Sequence, residues 1–317
     1  MALYLTEQDV GRLADIHLAL DAVESAHRAL ALGEAMDIPR QRVRTGSAMQ
    51  HVLQAGWPAR GVMGYKAYTS SAQGARFWLH LFDSSTGEPL AVIEADRLGM
   101  LRTGAASGVA ARYLARQDAR RVALIGAGWQ ARSQVLAMAA VREVTSFKVF
   151  ARRSDKLEAF CAEMAAETGV PMEPADSAEA AVEGADIVIT ATTSPKPVLE
   201  GAWLAPGMHV SAVGSNSLVR RELDEAAVRR AEVVCADSRA SAFAESGDLL
   251  PLIEKGRLLP GAVVELGEVV AGFRPGRTGN EQVTLFESQG MALQDIALGA
   301  AILQRASAAG VGVALPY

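Results

Sequence analysis

The sequence predicts an α/β protein in which a doubly wound parallel sheet is inserted into a second domain of mixed α+β structure. Residues 119–290 alternate short apolar runs with helix-forming stretches, which is typical of parallel strands covered by helices. The first 118 residues instead combine an amphipathic helical segment with strands separated by turns. A long apolar helix at 289–308 is expected to return to this first domain. The predicted domains are therefore residues 1–118 with 291–317, and residues 119–290.

The clearest motif is a glycine-rich turn between an apolar strand at 122–125 and a helix that extends to 140. The turn consists of Gly126, Ala127, Gly128, Trp129 and Gln130. Gly126 permits a tight turn, and Gly128 lets the backbone approach a pyrophosphate. The following helix N-terminus offers N–H groups and a positive dipole end to phosphates. This arrangement predicts a Rossmann-type dinucleotide-binding domain.

The end of the next strand, at 146–150, indicates which dinucleotide is bound. An NAD site usually carries an acidic residue there, which binds the ribose hydroxyl groups. This chain instead has Ala151, Arg152, Arg153 and Ser154. Two guanidinium groups and a hydroxyl suit a 2′-phosphate, so NADP(H) is the predicted cofactor, with NAD as the alternative. The other interpretation of the two arginines is a solvated surface pair.

The remaining elements are predicted from periodicity and turn residues. In the second domain, helices are expected at 155–167 and 177–183, and strands at 170–172, 185–192, 208–213, 232–236 and 282–286. In the first domain, a helical segment is expected within 6–32, strands at 62–67, 76–82 and 90–93, and a helix at 97–116. Because ligands bind at the carboxyl ends of parallel strands, Thr192 and Val213 are further candidates for cofactor binding.

Composition limits the classes of function. The chain has 31 basic and 36 acidic residues, a net charge of −5 and no block of like charge, so neither nucleic acid nor membrane is predicted as a partner. Cys161 and Cys235 are interpreted as reduced thiols, and the five histidines lack ligand spacing, so no metal site is predicted. Because a signal peptide and a stretch of membrane-spanning length are both absent from the sequence, we expect a cytoplasmic protein.

Further motifs resemble one known family. They are Gly64-Tyr-Lys66, Leu101-Arg-Thr-Gly-Ala-Ala-Ser107, Ile125-Gly-Ala-Gly-Trp-Gln130, Ala212-Val-Gly214, Thr284-Leu-Phe-Glu-Ser288 and Gly290-Met-Ala292. In this order they resemble the ornithine cyclodeaminase/μ-crystallin family over essentially the whole chain. The resemblance implies a substrate-binding and dimerisation domain that pairs its sheet with that of a second copy, forming a homodimer. Members include amino-acid cyclodeaminases, alanine dehydrogenases, NADPH-dependent ketimine reductases and a lens protein that binds NADPH and thyroid hormone.

The resemblance also assigns roles to single residues. Lys66 matches the family lysine near the substrate carboxylate and the reacting nitrogen. Arg102 matches the arginine that bridges carboxylate and cofactor, and Thr103 and Ser288 lie in motifs assigned to the cofactor. A carboxylate favours a guanidinium partner, and protonation of an imine nitrogen favours an ammonium with a lowered pKa. The alternative interpretation places these residues on a solvated surface.

A third basic residue completes the predicted carboxylate site. Arg42 matches the family arginine that binds the substrate carboxylate. Arg40, Arg42 and Arg44 alternate, however, so a regular strand would place all three on one face, and a shift of two positions would select a neighbour.

Departures from the cyclodeaminase pattern indicate a different reaction. Asn216 stands where cyclodeaminases have an aspartate shortly after the Ala-Val-Gly strand end, and an amide cannot accept the proton that cyclisation requires. The segment at 70–77 is shorter than in cyclodeaminases, and Gly74 replaces a threonine that contacts the cofactor. Together with the arginine pair after residue 151, these differences favour net reduction over recycling of bound NAD.

Three hypotheses follow. The first is an NADPH-dependent reductase of small cyclic ketimine acids, such as pyrroline- or piperideine-2-carboxylate. The second is an ornithine cyclodeaminase that uses Asn216 with water. The third, from a different class, is an NADPH-dependent binding protein without turnover, like the crystallin relative. The exact substrate and the physiological direction of the reaction stay open.

Overall fold

The computed structural model of the protein describes residues 2–316, and the side chains of Ser154 and Asp155 lie outside the described part. The early elements are β1 (Leu3–Leu5), α1 (Glu7–Leu13), α2 (Ile16–Ala31), β2 (Met36–Thr45), β3 (Ala48–Trp57), β4 (Val62–Ser71), β5 (Gly74–Asp83), β6 (Pro89–Glu94) and α3 (Asp96–Leu114). The central elements are β7 (Arg121–Ile125), α4 (Trp129–Val141), β8 (Ser146–Phe150), α5 (Ser154–Thr168), β9 (Met172–Pro174), α6 (Ala178–Val182), β10 (Ile187–Thr190), β11 (His209–Ala212), α7 (Glu225–Arg230), β12 (Val233–Ala236), α8 (Arg239–Glu245), α9 (Leu250–Glu254), β13 (Val263–Glu265), α10 (Leu266–Val270) and β14 (Thr284–Glu287). The last are α11 (Ala292–Ala309) and β15 (Val313–Ala314).

The chain divides into two compact units. The first comprises Met1–Arg102 with Met291–Tyr317, and the second comprises Thr103–Gly290. The last helix, α11, lies in the first unit. The first boundary lies within α3, whereas the sequence pattern placed it after residue 118.

Packing explains the position of this boundary. Within the second unit, the Gln134 side chain donates a hydrogen bond of 3.3 Å to the carbonyl of Thr103. A Cβ at Gly104 would lie 2.3 Å from the carbonyl oxygen of Ser133, so α3 and α4 approach closely there. Further along α3, Ala111 joins the core beneath the parallel sheet. Most of α3 therefore packs as part of the second unit.

The first unit contains a seven-stranded mixed sheet in the order β15-β1-β6-β5-β4-β3-β2. Helix α11 packs against α2 and against β3, β4 and β5. Close packing requires a small residue at Gly299, because a Cβ there would lie 2.2 Å from a methyl carbon of Leu79. The helical segment predicted at 6–32 is two helices, since Asp15 ends the first stretch and caps the N-terminus of α2 through the amide of Leu18.

Strand β2 departs from regular alternation. Its pairing with β3 shifts register between Ile38 and Gln41, so one extra residue is accommodated at Pro39–Arg40. Proline lacks the N–H that a ladder requires, which favours an irregularity at this position. From Gln41 onwards the pairing is regular, so the irregularity lies on the N-terminal side of Arg42 and Arg44.

The second unit confirms the predicted doubly wound parallel sheet. Its eight strands are all parallel and follow the order β13-β12-β14-β11-β10-β7-β8-β9. The chain starts at β7, adds β8 and β9 on one side, and then crosses to β10 on the other. The carboxyl ends of β7 and β10 consequently flank the topological switch point, where ligands bind in such sheets.

Candidate functional site

The glycine-rich turn has the geometry that its sequence predicts. Gly126 has φ +114°, and a Cβ at this position would lie 2.4 Å from the carbonyl oxygen of Ala191. Only glycine is compatible with both constraints. Gly128, in contrast, has an ordinary φ of −92° and would place a Cβ in open space, with no atom within 4 Å. The space in front of α4 is therefore open to a ligand.

The N-terminus of α4 presents donors to this space. Gly128 is the N-cap and provides no side-chain cap, so the first N–H groups of the helix are available to an anion. Trp129 is exposed, and Gln130 is partly buried. A helix N-terminus without a side-chain cap, beside open space at Gly128, fits the pyrophosphate of a dinucleotide.

The predicted phosphate-binding arginines follow the neighbouring strand. Strand β8 pairs with β7, and the carbonyl of Phe150 accepts a hydrogen bond of 2.8 Å from the Gly126 amide. Ala151 is partly buried, whereas Arg152 and Arg153 are exposed next in the chain. The Ser154 hydroxyl, also predicted to take part, lies outside the described residues.

The other two predicted strand ends are joined by a buried carboxylate. Glu222 accepts hydrogen bonds from the Thr192 amide at 2.6 Å and the Gly214 amide at 2.7 Å. It also accepts one of 2.8 Å from the hydroxyl of Thr190. The amide of Val213 donates to the carbonyl of Thr190, which strengthens the same connection. Glu222 thereby holds together the carboxyl ends of β10 and β11.

Two more buried carboxylates surround Glu222. Glu287 accepts hydrogen bonds from Ser215, and from Ser246 at 2.9 Å, while Asp248 accepts the amide of Glu222 at 2.9 Å. Burial raises the pKa of Glu222 to about 7 and that of Asp248 to about 6. Burial and the nearby charge of Asp248 raise the pKa of Glu287 well above its usual value. One oxygen each of Glu287 and Asp248 has no hydrogen-bond partner among the described residues.

The segment after β14 is held by a fourth acidic residue. Asp237 accepts hydrogen bonds from the Ser288 hydroxyl at 3.1 Å and from the Gly290 amide at 2.7 Å. Ser288 is buried and lies beyond the carboxyl end of β14, the side predicted for the cofactor.

Asn216 follows the end of β11 and is partly exposed. Its side-chain oxygen accepts a hydrogen bond of 3.3 Å from the guanidinium of Arg220. Asn216 therefore presents an amide at the position where the sequence comparison with cyclodeaminases expects an acid.

In the first unit, Lys66 and Arg102 meet at a residue that sequence reasoning missed. The Lys66 ammonium lies 2.9 Å from Oδ1 of Asp295, and the Nε of Arg102 lies 3.1 Å from the same oxygen. All three side chains are buried. Arg102 also donates through Nη1 to the side chain of Gln294 at 3.1 Å, and Gln294 contacts His27 at 3.0 Å. Two cations and one carboxylate leave one net positive charge in this cluster.

The environment lowers the pKa of Lys66 to about 8. Burial is the main cause, the carboxylate of Asp295 opposes it, and the charges of Arg102 and Arg40 lower the pKa further. The ammonium also lies over the ring of Phe77, 5.4 Å from its centroid. Lys66 is therefore an acid that can release its proton near neutral pH.

The arginines of β2 differ in their surroundings. Arg40 is partly buried and its charge reaches Lys66, whereas Arg42 and Arg44 are exposed. Arg42 lies opposite His51 in the β2–β3 register. Burial lowers the pKa of His51 to about 4, and the charges of Arg42 and then Arg40 add to this effect. The charge of Arg40 therefore acts on both Lys66 and His51, and the charge of the predicted Arg42 acts on His51.

Residues 2–310 match the family model for the ornithine cyclodeaminase/mu-crystallin family. The chain belongs to this family. It is 38% identical over 233 residues to the Delta(1)-pyrroline-2-carboxylate reductase of Bacillus cereus. The aligned region covers 73% of this chain and 71% of that protein. Both the predicted family and the predicted fold class are confirmed.

Solved structures of relatives superpose closely. One is Thermococcus litoralis Delta(1)-pyrroline-2-carboxylate reductase in complex with NADH and L-proline, with a TM-score of 0.95 and 32% identity over 99% of this chain and 100% of that chain. Another is an archaeal alanine dehydrogenase dimer with bound NAD, with a TM-score of 0.93 and 30% identity over 100% and 99%. The predicted class, an NAD(P)-dependent oxidoreductase acting on C–N bonds, is confirmed.

Among residues 2–316, His, Cys, Asp and Glu side chains form no group of three or more that could hold a metal ion. Within the same described part, no helix is both long and apolar enough to cross a membrane.

Proposed function

We propose that this enzyme is an NADPH-dependent reductase of small cyclic imino acids of the pyrroline- or piperideine-2-carboxylate type. The observation that carries the proposal is the buried pair of Lys66 and Arg102 on one carboxylate. Such a pair supplies an acid for an imine nitrogen and a cation for the carboxylate on the adjacent carbon.

The acid is the Lys66 ammonium. Because its pKa is lowered to about 8, it is protonated at neutral pH yet transfers its proton readily to a nitrogen that gains basicity. A bound nicotinamide dinucleotide would supply the hydride that reduces the C=N carbon. Lys66 would deliver the proton to the nitrogen, and solvent would then restore its own proton.

The substrate carboxylate is assigned to Arg102 and to an arginine of β2. The cluster of Lys66, Arg102 and Asp295 carries one net positive charge, which a single carboxylate would neutralise. We assign the second contact to Arg40, because its charge reaches Lys66. Arg40→Ala should raise KM more than Arg42→Ala does, since Arg40 is partly buried and its charge acts on the acid, whereas Arg42 is exposed. The opposite order would restore Arg42 to this role.

The assignment of NADPH depends on Arg152 and Arg153. Both are exposed after β8, where an acid would otherwise bind ribose hydroxyls. We expect NADPH to bind more tightly than NADH by about 1–3 kcal/mol, the scale of charge-assisted hydrogen bonds. Arg152→Ala should reduce the difference in binding free energy between NADPH and NADH and leave NADH binding nearly unchanged. Fluorescence titration measures both affinities. Equal dissociation constants for the two cofactors in the wild-type protein would contradict the assignment.

The reductase is distinguished from a cyclodeaminase at Asn216. Purified protein should oxidise NADPH with a cyclic ketimine acid and release no measurable ammonia from ornithine with NAD. Asn216→Asp, which is nearly isosteric, should recover at most a trace of ammonia release. Robust proline formation from ornithine by the wild-type protein would overturn the reductase in favour of the cyclodeaminase. Cofactor binding without turnover of any imine would favour the binding protein.

We also propose that the enzyme is a homodimer formed through the first unit. Met36, Ile38 and Met63 are exposed on β2 and β4, and they line an open apolar groove together with Tyr65 and Phe82. Strand β2 is an edge of its sheet, which can pair with a second copy. Light scattering should give twice the chain mass, and Ile38→Asp should yield monomers. A monomeric wild-type protein would contradict this proposal.

A further inference from the structure

Asp295 has an unusual place in the first unit, because one of its oxygens holds two cations. Its Oδ1 lies 2.9 Å from the Lys66 ammonium and 3.1 Å from Nε of Arg102. The side chain is fully buried. Its other oxygen, Oδ2, has no hydrogen-bond partner among the described residues. Both cations therefore contact the same oxygen, Oδ1, which limits the distance between the ammonium and the guanidinium.

The three residues come from three separate elements. Lys66 lies in β4, Arg102 in α3 and Asp295 in the first turn of α11. Helix α11 packs on β4, which fixes the height of the carboxylate above the sheet. A carboxylate in the first turn is also favoured by the positive end of the helix dipole.

The ammonium has little room on its remaining sides. A Cβ at Gly99 would lie 2.7 Å from the Lys66 nitrogen, so this glycine leaves the space that the ammonium occupies. The ring of Phe77 lies 5.4 Å away. Lys66 is thus confined by packing and directed by Asp295.

We propose that Asp295 is a positioning residue, which holds the Lys66 ammonium and the Arg102 guanidinium at the spacing between an imine nitrogen and the neighbouring carboxylate. This inference rests on the reductase proposed above. Arg102 directs Nε to Asp295 and Nη1 to Gln294. Its third nitrogen, Nη2, is assigned to the substrate.

The same carboxylate sets the protonation of Lys66. The charged groups that act on Lys66 are Asp295 on α11, Arg102 on α3 and Arg40 on β2. Of these, only Asp295 favours the protonated amine, against burial and the two guanidinium groups. Removing its charge should therefore move the titration of Lys66 to lower pH, whereas a purely structural role would leave the titration in place.

The test combines a titration with kinetics. The Lys66 titration is followed by NMR of 13C-labelled lysine Cε, with Lys66→Arg to assign the signal. In Asp295→Asn the midpoint should fall by about 1–3 pH units, the usual influence of an adjacent opposite charge. The alkaline limb of the pH profile of kcat/KM for a cyclic ketimine acid should move to lower pH by the same amount. An unchanged midpoint and profile would overturn the proposal.

Two further variants separate charge from position. Gln294→Leu, the matched control, removes contacts of Arg102 and His27 but none of Lys66, so KM should rise while the Lys66 midpoint stays at the wild-type value. Asp295→Glu retains the charge but lengthens the side chain, so the midpoint should stay close to wild type while kcat falls at least tenfold through misplacement of the ammonium. Wild-type kinetics in Asp295→Glu would overturn the positioning role, even if Asp295→Asn fails to fold.

The two proposals can fail separately. The NMR titration requires no substrate, so it tests the control of Lys66 by Asp295 whatever the enzyme reduces. Absence of ketimine reduction by wild-type protein, together with a shifted midpoint in Asp295→Asn, would reject the reductase and retain this control. Ketimine reduction by wild-type protein, together with an unchanged Lys66 midpoint in Asp295→Asn, would retain the reductase and reject the control of Lys66 by Asp295.

Discussion

Each unit buries a cluster of charged side chains, and the two clusters differ in how their charges are balanced. In the first unit, the Asp295 carboxylate lies between two cations. In the second, Glu222, Asp248 and Glu287 are all acidic and are surrounded mainly by hydroxyl and amide donors. Opposite charges compensate for lost hydration, whereas like charges favour protonation.

The consequence appears in the pKa values. Burial lowers the pKa of Lys66 only to about 8 because a carboxylate opposes it, so the amine keeps its charge at neutral pH. Burial raises the pKa of Glu222 to about 7 despite several hydrogen bonds to its carboxylate. The first cluster can therefore donate a proton. In the second cluster, Glu222 links two strand ends through hydrogen bonds and can do so as an uncharged carboxyl group.

The largest effect is expected from Lys66→Met. Removing the acid while keeping the apolar stem should lower kcat/KM by about 10²–10⁴-fold, the usual contribution of a general acid. Steady-state kinetics with a cyclic ketimine acid measure the loss, and Lys148→Met, at an exposed lysine of β8, serves as control. Near-normal kinetics in Lys66→Met would show that the first cluster does not supply the catalytic acid.

Breaking the balance of the first cluster should also destabilise the protein. Asp295→Ala leaves two buried cations without their carboxylate, so we expect the free energy of unfolding to fall by about 3–5 kcal/mol. Urea denaturation at neutral pH provides the measurement. Asp118→Ala removes an exposed partner of Arg116 and should cost less than about 1 kcal/mol. Equal costs for the two variants would show that burial does not distinguish these pairs.

The second cluster should make stability depend on pH in a defined direction. Because the folded pKa of Glu222 lies near 7 and its ordinary value is 4.5, the native state binds the additional proton between these values. Its stabilising contribution is present below about pH 4.5 and is lost as the pH rises through 7. In Glu222→Gln the free energy of unfolding should therefore fall less than in the wild-type protein over this pH range, by an amount on the order of 3 kcal/mol.

Urea denaturation between pH 4.5 and 8 tests this expectation, with Glu183→Gln, an exposed acid, as control. For Lys66 the sign is opposite. Its folded pKa lies below the ordinary 10.5, so its contribution to stability grows as the pH rises from about 8 to 10.5. Identical pH slopes in wild type and Glu222→Gln would mean that Glu222 is ionised throughout.

The smallest effect concerns the space around the ammonium. A Cβ in Gly99→Ala would lie 2.7 Å from the Lys66 nitrogen and should displace it, lowering kcat/KM about tenfold, or about 1.4 kcal/mol. Gly11→Ala is the matched control, because its Cβ would make an ordinary contact of 3.7 Å with Arg97. A Gly99→Ala enzyme as active as Gly11→Ala would indicate that Lys66 tolerates displacement.

Local sequence predicted the parts of the fold that depend on neighbouring residues. The alternation of apolar strands and helices indicated the parallel sheet, although the strand expected at 170–172 lies at Met172–Pro174 and the helix expected from 289 begins at Ala292. The glycine turn and Lys66 were recognisable because their motifs are short and continuous. β1 and β13, each of three residues, were missed because so few positions carry little periodicity.

Other parts of the candidate site carry weaker local signals. Asp295 is an acid within an otherwise apolar stretch of α11, which signals a buried partner but does not identify it. That partner, Lys66, is 229 positions away, so their meeting depends on how α11 packs on β4.

The sequence by itself determined the α/β class and the dinucleotide turn, because periodicity, glycine conformation and helix N-termini act over a few residues. Its motifs also carried the resemblance to the family. Only the tertiary structure showed that β2 accommodates one extra residue between Ile38 and Gln41 and that the charge of Arg40 acts on Lys66. It alone joined Glu222 to two strand ends and Asp295 to two cations. Contacts between distant residues depend on the packing of whole elements, which leaves no pattern in the neighbouring sequence.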